Sequence, residues 1–272
     1  MIPRANITAW RRTAPWPDNA QVEQDLVLSR ALVEMFNRPA LAEQVIFRGG
    51  TALHKLYLDP PGRYSEDIDL VQRNAGPIGP LVDEIRASLD SWLGQPKRRA
   101  GQGRFTMYYR FETTFEPVIS MRLKVEINIR EHFIAHGATS RQFAVENPWF
   151  SRTASVRTFT LSELLATKLR ALHQRKRGRD LFDLAMGLGH EDADADALVH
   201  AFERYMELGG TPVTRAQVEA AIAAKMADRA FLDDVPALLR TGLDYDPAEA
   251  WALVRESLVT KLPGDAWKGE GD

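Results

Sequence analysis

Asp67 and Asp69 stand one residue apart in the stretch SEDIDLV. If this stretch is a strand, side chains alternate between its faces, so the two carboxylates share one face about 6.6 Å apart along the chain. Ile68 and Leu70 then share the other face and can enter a core. Two carboxylates held this way repel each other unless a cation lies between them. Paired divalent ions suit the position, because two-metal sites keep their ions roughly 3.5–4 Å apart. Mg2+, which takes oxygen ligands and is completed by substrate phosphates, is the natural candidate, with Mn2+ as its substitute. Upstream, Gly49, Gly50 and Thr51 supply the other half of such a site. Glycines let a phosphate approach the backbone, and the N-terminus of a following helix offers free N–H groups and a positive dipole end. Together these residues point to a nucleoside triphosphate (NTP) held at the Gly-Gly turn with its metals on Asp67 and Asp69.

The elements that must position them are readable. Val45 to Phe47 is a short apolar run that predicts a strand, and Gly49-Gly50 breaks it. Thr51 is expected to cap a helix with Ala52, Leu53, Leu56 and Tyr57 at helical spacing. His54 is expected to be a partly exposed residue of that helix. Pro60, Pro61 and Gly62 end it, and the strand with the two carboxylates follows, to Val71. A Gly-Gly turn alone is an ordinary turn, and a D-x-D pair alone is an ordinary solvated edge. Both at this spacing, each in the required context, are a narrower signal.

The residues GGTALHKLY and RYSEDIDLV resemble the signature of the polymerase-β-type nucleotidyltransferase superfamily. Within it they are similar to the AbiEii/AbiGii (MenT-like) toxin family, through Gly49, Gly50, Thr51, Leu53, Lys55, Ser65, Asp67, Asp69 and Leu70. The resemblance implies an α/β (α+β) fold, with a mixed sheet and flanking helices plus a C-terminal helical lobe. It places Lys55 and Ser65 among the nucleotide-binding residues. It also implies a third carboxylate on a strand beside the D-x-D strand. Glu126 in the alternating stretch MRLKVEINIR (121–130) is its natural occupant as a metal ligand, the alternative being a solvent face of mixed charge. Lys124, on the same face, would contact phosphate or pair with Glu126.

Composition bounds the rest. At 272 residues, 44% hydrophobic and 26% charged, the chain is an ordinary globular one with room for one large domain or two smaller ones. It has no cysteine, which excludes disulfides, thiol nucleophiles and Cys-ligated zinc. No apolar run approaches the ~18 residues of a membrane span. The N-terminus lacks signal-peptide order, so no membrane partner and a cytoplasmic location are expected. The net charge of −2 confines any nucleic-acid role to local patches.

Along the chain, residues 1–20 read as an arm in which Trp10 and Trp16 bury, or alternatively offer a ring to a base. A helix is expected over Gln21–Phe36 and a helical piece over Ala40–Gln44. Another is expected through Leu81, Ile85, Leu89 and Leu93. The segment PKRRAGQGR (96–104) reads as a basic loop, Arg104–Glu112 as a strand, and ASVRTFT (154–160) as a short strand closing the sheet. Beyond it the chain reads as helices, so the boundary is drawn at Phe159, with a core over 1–159 and a helical domain over 160–272 completing the active site. Helices are expected over Leu198–Leu208, Arg215–Met226, Phe231–Leu239 and Ala248–Val259. They would form a lobe facing the sheet across a cleft, with the tail GDAWKGEGD mobile.

Thr160-Leu-Ser-Glu163 reads as a capping box opening a helix with the stripe Leu161, Leu164, Leu165 and Leu172. Lys168 falls inside that stripe. An inward lysine needs an anion, either a triphosphate or nearby carboxylates, or it must snorkel to the rim. Gly178 is expected to break the helix. Asp180 then serves as N-cap and Asp183 as a first-turn acid of the next one. The order E-L-x-A-x-K, then R-x-R-D-x-x-D-L, resembles the remaining blocks of the toxin family. That implies activity roles for Lys168, at the nucleotide phosphates, and Asp180, with Asp183 and Arg179 as supports. The basic segments 96–104 and 174–179 are candidates for an RNA phosphate backbone.

These readings converge on a metal-dependent nucleotidyltransferase toxin that moves a nucleoside monophosphate from an NTP and releases pyrophosphate. By resemblance the acceptor is the 3′ end of tRNA, translation stops, and a cognate antitoxin is the partner. The alternatives are an acceptor hydroxyl on a small molecule or protein, and a non-catalytic RNA- or partner-binding module of the same fold. Ser65 carries one more expectation: a phosphate there would add about −1.5 to −2 charge beside the metal ligands and compete for their ions.

Overall fold

Strict alternation of apolar and polar side chains builds the sheet that carries the acid pair. The computed structural model describes residues 2–269. Its strands are β1 (Val45–Arg48), β2 (Asp67–Gln72), β3 (Lys97–Gly101), β4 (Arg104–Glu112), β5 (Ser120–Asn128), β6 (Ala138–Asn147) and β7 (Phe150–Phe159). They form one mixed sheet in the order β3-β4-β5-β2-β1-β7-β6. β2 runs antiparallel to β1 and parallel to β5, and β1 runs parallel to β7. On one face Ile68, Leu70, Met107, Tyr109, Leu123, Val125 and Ile127 are buried. That face meets the helices α2 (Asn19–Phe36) and, over β4, α5 (Gly79–Leu93), where the Tyr109 hydroxyl donates to Asp90 Oδ1 at 3.1 Å. The other face carries Asp67, Asp69, Lys124 and Glu126. Preceding these, the N-terminal arm holds helix α1 (Arg4–Trp10), and α3 (Pro39–Ala42) and α4 (Gly49–Leu56) flank β1.

The chain divides into two compact units, one of residues 1–133 with 138–159, the other of 134–137 with 160–272. The second contains α6 (Leu161–Gln174), α7 (Gly178–Leu188), α8 (Ala195–Leu208), α9 (Arg215–Met226), α10 (Arg229–Leu232) and α11 (Pro247–Ser257). Leu161, Leu164, Leu165 and Leu172 of α6 are all buried, as their spacing requires. Among the described residues no helix is long and apolar enough to cross a membrane.

Several local expectations give way. The basic segment at 96–104 is a strand rather than a loop: β3 turns at Gly103 (φ +73°) and pairs with β4 along its length. Residues 154–159 are the end of a longer strand, β7, whose hairpin partner β6 forms the far edge of the sheet, and Thr160 already caps α6. Helix formation over 231–239 is interrupted, α10 being followed by a separate 3-10 turn at Pro236–Leu238. Proline has no N–H to continue the ladder.

The capping box at Thr160 is half made. Thr160 accepts from the Glu163 N–H at 3.4 Å. The fully buried Glu163 carboxylate instead accepts from the N–H groups of Ala135 (2.7 Å) and His136 (2.8 Å) and from the Tyr205 hydroxyl (2.7 Å). The tail expected to be loose is tied as far as Trp267, whose N–H donates to Glu219 at 2.7 Å, while residues 270–272 of that tail lie outside the described residues.

Candidate active site

The turn between β1 and α4 requires glycine for two separate reasons. Gly49 has φ +85°, and a Cβ there would lie 2.6 Å from Asp69 Oδ2. A Cβ on Gly50 would run into the Arg63 guanidinium. The helix begins at Gly49 itself, with Arg48 before it as an N-cap whose side chain makes no capping bond. Thr51 is therefore inside α4, and the expectation that it caps the helix fails. Its hydroxyl donates to the Asp67 carbonyl at 2.6 Å and pairs with Ser65 Oγ at 2.8 Å, joining the first turn of α4 to the start of β2.

Asp67 and Asp69 share the face of β2 turned away from the apolar core, both half-buried, with the Gly49 turn against Asp69. Their direct neighbours on β5 are Lys124 opposite Asp67 and Glu126 opposite Asp69. Lys124 Nζ sits 3.0 Å from Asp67 Oδ2 and 3.3 Å from Glu126 Oε2. Burial opposes the Lys124 charge, yet Asp67, Asp69 and Glu126 hold its pKa above the ordinary lysine value. Asp69 is placed differently. Burial and then the neighbouring Asp67 charge push its carboxyl up, against the opposing pull of Lys124 and Arg48.

Among the described residues no three His, Asp or Glu side chains are drawn together as an ion cage. The reason is visible in the geometry, because the Lys124 ammonium already lies between Asp67 and Glu126. The donors nonetheless fit a divalent ion: hard carboxylate oxygens on one face, with more negative charge than Lys124 neutralises. Such an ion would take Asp67 and Asp69 directly, with Glu126 available once Lys124 moves.

Other expected residues have settled partners. Lys55 donates to Asp25 Oδ1 at 2.6 Å, in a buried cluster where Asp25 also accepts the indole N–H of Trp10 (2.8 Å) and Trp16 (3.0 Å). Both indoles are buried, which is the first of the two readings given to the arm. His54 is buried as well, contrary to expectation, and accepts from the Gly62 N–H at 3.3 Å. Arg63 was not anticipated. It is buried against the Gly-Gly turn, donates to the Tyr64 carbonyl at 2.9 Å, and brings a positive charge to the N-terminus of α4. Its place in the RYSEDID block was the available signal.

In the second unit, Lys168 faces inward as its position in the stripe demands, and carboxylates neutralise it. Its Nζ lies 2.7 Å from Asp183 Oδ2 and 3.3 Å from Asp180 Oδ1. Asp180 is not an N-cap: α7 begins at Gly178, so Asp180 lies in the first turn, buried, and also accepts two bonds from Arg175 at 2.7 and 2.8 Å. Gly178 starts this helix rather than ending α6, and its lack of a side chain admits the Phe231 carbonyl. Arg179 grips Asp234 with two bonds of 3.0 Å. In the basic run 174–179, Lys176 pairs with Asp228 and Arg177 with Asp234, so part of that charge is neutralised internally.

Residues 30–256 match the sequence model of the family described as nucleotidyl transferase AbiEii toxin, of the type IV toxin–antitoxin systems. Among proteins of curated function, none matches by sequence. Among solved structures, the chain is similar to the nucleotidyltransferase toxin MenT4 of Mycobacterium tuberculosis H37Rv, at 19% identity and a TM-score of 0.70 over 97% of this chain and 92% of that one. It is also similar to a candidate nucleotidyltransferase from H. pylori, at 16% identity and a TM-score of 0.52 over 88% and 93%. These likenesses show the fold.

Proposed function

This chain belongs to the AbiEii family of nucleotidyltransferase toxins, and we propose that it transfers a nucleoside monophosphate from an NTP to the 3′ end of tRNA, which halts translation. Membership makes it a nucleotidyltransferase and implies an NTP substrate and an antitoxin. Enzymes of this kind generally use a divalent metal, and Mg2+ is the ion proposed here. The observation that carries the reading is the contact between the two halves of the site: the Gly49 turn abuts Asp69, so a phosphate chain at the turn reaches the acid pair.

In the proposed reaction the acceptor hydroxyl oxygen forms a bond to the α-phosphorus while the bond to the β-phosphate oxygen breaks. Pyrophosphate leaves, and the hydroxyl proton is released to water. When bound, Mg2+ neutralises charge building on the phosphoryl oxygens and orients the attacking hydroxyl. Asp67 and Asp69 would hold the metal, and Glu126 would be a further ligand with Lys124 turned toward a phosphate. The N–H groups at Gly49, Gly50 and Thr51 bind phosphate oxygens without a change of shape, since the turn is fixed by Thr51 and Ser65. Arg63 adds positive charge from below the turn, and Lys55 acts through Asp25 to hold α4 in place. Lys168 and Asp180 are required for activity in this reading, with Asp180 and Asp183 fixing the ammonium.

The test incubates the protein and its Asp67→Asn variant with each labelled NTP and three acceptors: total tRNA, protein and an aminoglycoside. Label should appear on tRNA only, and Asp67→Asn should lower the rate on the order of 10³-fold. Label on protein or aminoglycoside alone defeats the RNA assignment, and an undiminished rate in Asp67→Asn defeats the site.

A further inference from the structure

We propose that the polar face of the sheet, from the acid pair across β5 and β4 to β3, is the track that holds the single-stranded 3′ end of an acceptor RNA. The inference rests on the RNA reading above and deepens it.

Strand register places two rows of side chains on that face. One runs Asp67, Lys124, Tyr108, Lys97; the other runs Asp69, Glu126, Thr106, Arg99. Both lead from the acids to the edge of the sheet, about 14 Å away at the usual strand spacing. Directly opposed and alternate residues share a face, so Arg104, Arg110 and Arg122 project there too. Lys97, Arg99, Arg104, Arg110 and Arg122 are all exposed. In a protein of net charge −2, this basic strip beside the acid pair is not a by-product of composition.

Arg110 lies directly opposite Arg122 on neighbouring strands. Like charges in that position are destabilising, and an anion laid across them removes the repulsion. Beside them stands Tyr108, half exposed, with the Arg122 guanidinium 5.3 Å from its ring centre. A ring with an arginine over it, one strand from Lys124, is a stacking platform for a base. The basic side chains then take the backbone phosphates. Charge alone would suit any polyanion. The ring in the row that ends at Asp67 favours a nucleic-acid end over an acidic protein.

The test uses the full chain and a short fluorescent RNA oligomer with a free 3′ hydroxyl. Changing Lys97→Glu and Arg99→Glu together on the exposed edge strand should raise the KM for RNA roughly tenfold. It should also reduce the slope of log KM against log salt by about 1.4, two lost single-strand phosphate contacts, with the KM for NTP unchanged. Arg110→Ser separates folding from binding, since it should weaken RNA while leaving thermal stability equal or higher.

An unchanged RNA KM and salt slope in both folded variants overturns the track while leaving the RNA reading intact. So does a loss confined to binding of an acidic protein. If the unaltered protein binds the oligomer through these residues but transfers nothing to its end, the acceptor reading falls and the binding track stands. If it binds no RNA at all, both fall.

Discussion

Two lysines in this protein each lie between a pair of carboxylates, and they differ in their access to water. Lys168 is 8% exposed between Asp180 and Asp183, both fully enclosed, with Arg175 as a second cation. Lys124 is 23% exposed between Asp67 at 35% and Glu126 at 26%, with Asp69 beside them. The first arrangement is a brace joining α6 to α7, where each charge depends on its neighbours. The second leaves carboxylate oxygen on an open face, where an incoming cation can displace a lysine. The same residue types thus make a brace in one unit and, on the proposed reading, an exchangeable metal site in the other, and access to solvent separates them.

The largest effect expected on stability belongs to the brace. Asp180→Ala removes one of the two carboxylates that neutralise the buried Lys168, leaving it Asp183 alone, and breaking a buried ion pair from one side costs about 3–5 kcal/mol. Urea unfolding should show this as an early midpoint, while Lys124→Met on the open face shifts it far less. Equal shifts in the two variants would remove the distinction. A smaller loss, about 1–3 kcal/mol, is expected for Gly49→Ala, because the residue is held at φ +85° and its Cβ meets Asp69. Crowding that carboxylate should also cut nucleotide transfer well beyond what the stability loss explains.

The smallest effect has a sign. A carboxyl whose folded pKa is raised destabilises the folded state fully above that pKa, and not at all below its unfolded value of about 3.9. Asp69→Asn should therefore raise the melting temperature at neutral pH without added metal. The gain should shrink as pH falls through the folded pKa of Asp69 and vanish in acid. A gain that persisted unchanged below pH ~3.9 would show that charge relief is not its source.

What could be read in advance follows the same division. Strands β2, β4 and β5 and the stripe of α6 were legible because each has one buried face, so the period of the apolar residues reports the period of the backbone. Strands β3 and β6 edge the sheet. The first has no buried residue and the second only two, Val145 and Asn147, so neither shows that signal. The acid pair and the two glycines were legible because their chemistry is local.

The partners of Thr51, Lys55 and Glu163 were not, since each bonds to a group far along the chain: Asp67, Asp25 and Ala135. Local spacing holds no trace of such pairings. Lys168 lies between these cases. Its need for an anion was evident from the stripe, but which anion met it was settled only when α7 folded back against α6.

Mn2+ titration followed by electron paramagnetic resonance, with a non-hydrolysable NTP present, tests the exchangeable site most directly. The unaltered protein and Asp183→Asn, provided the latter folds, should bind the ion alike, and Asp67→Asn should lose that binding. Retained Mn2+ binding in Asp67→Asn would contradict the account.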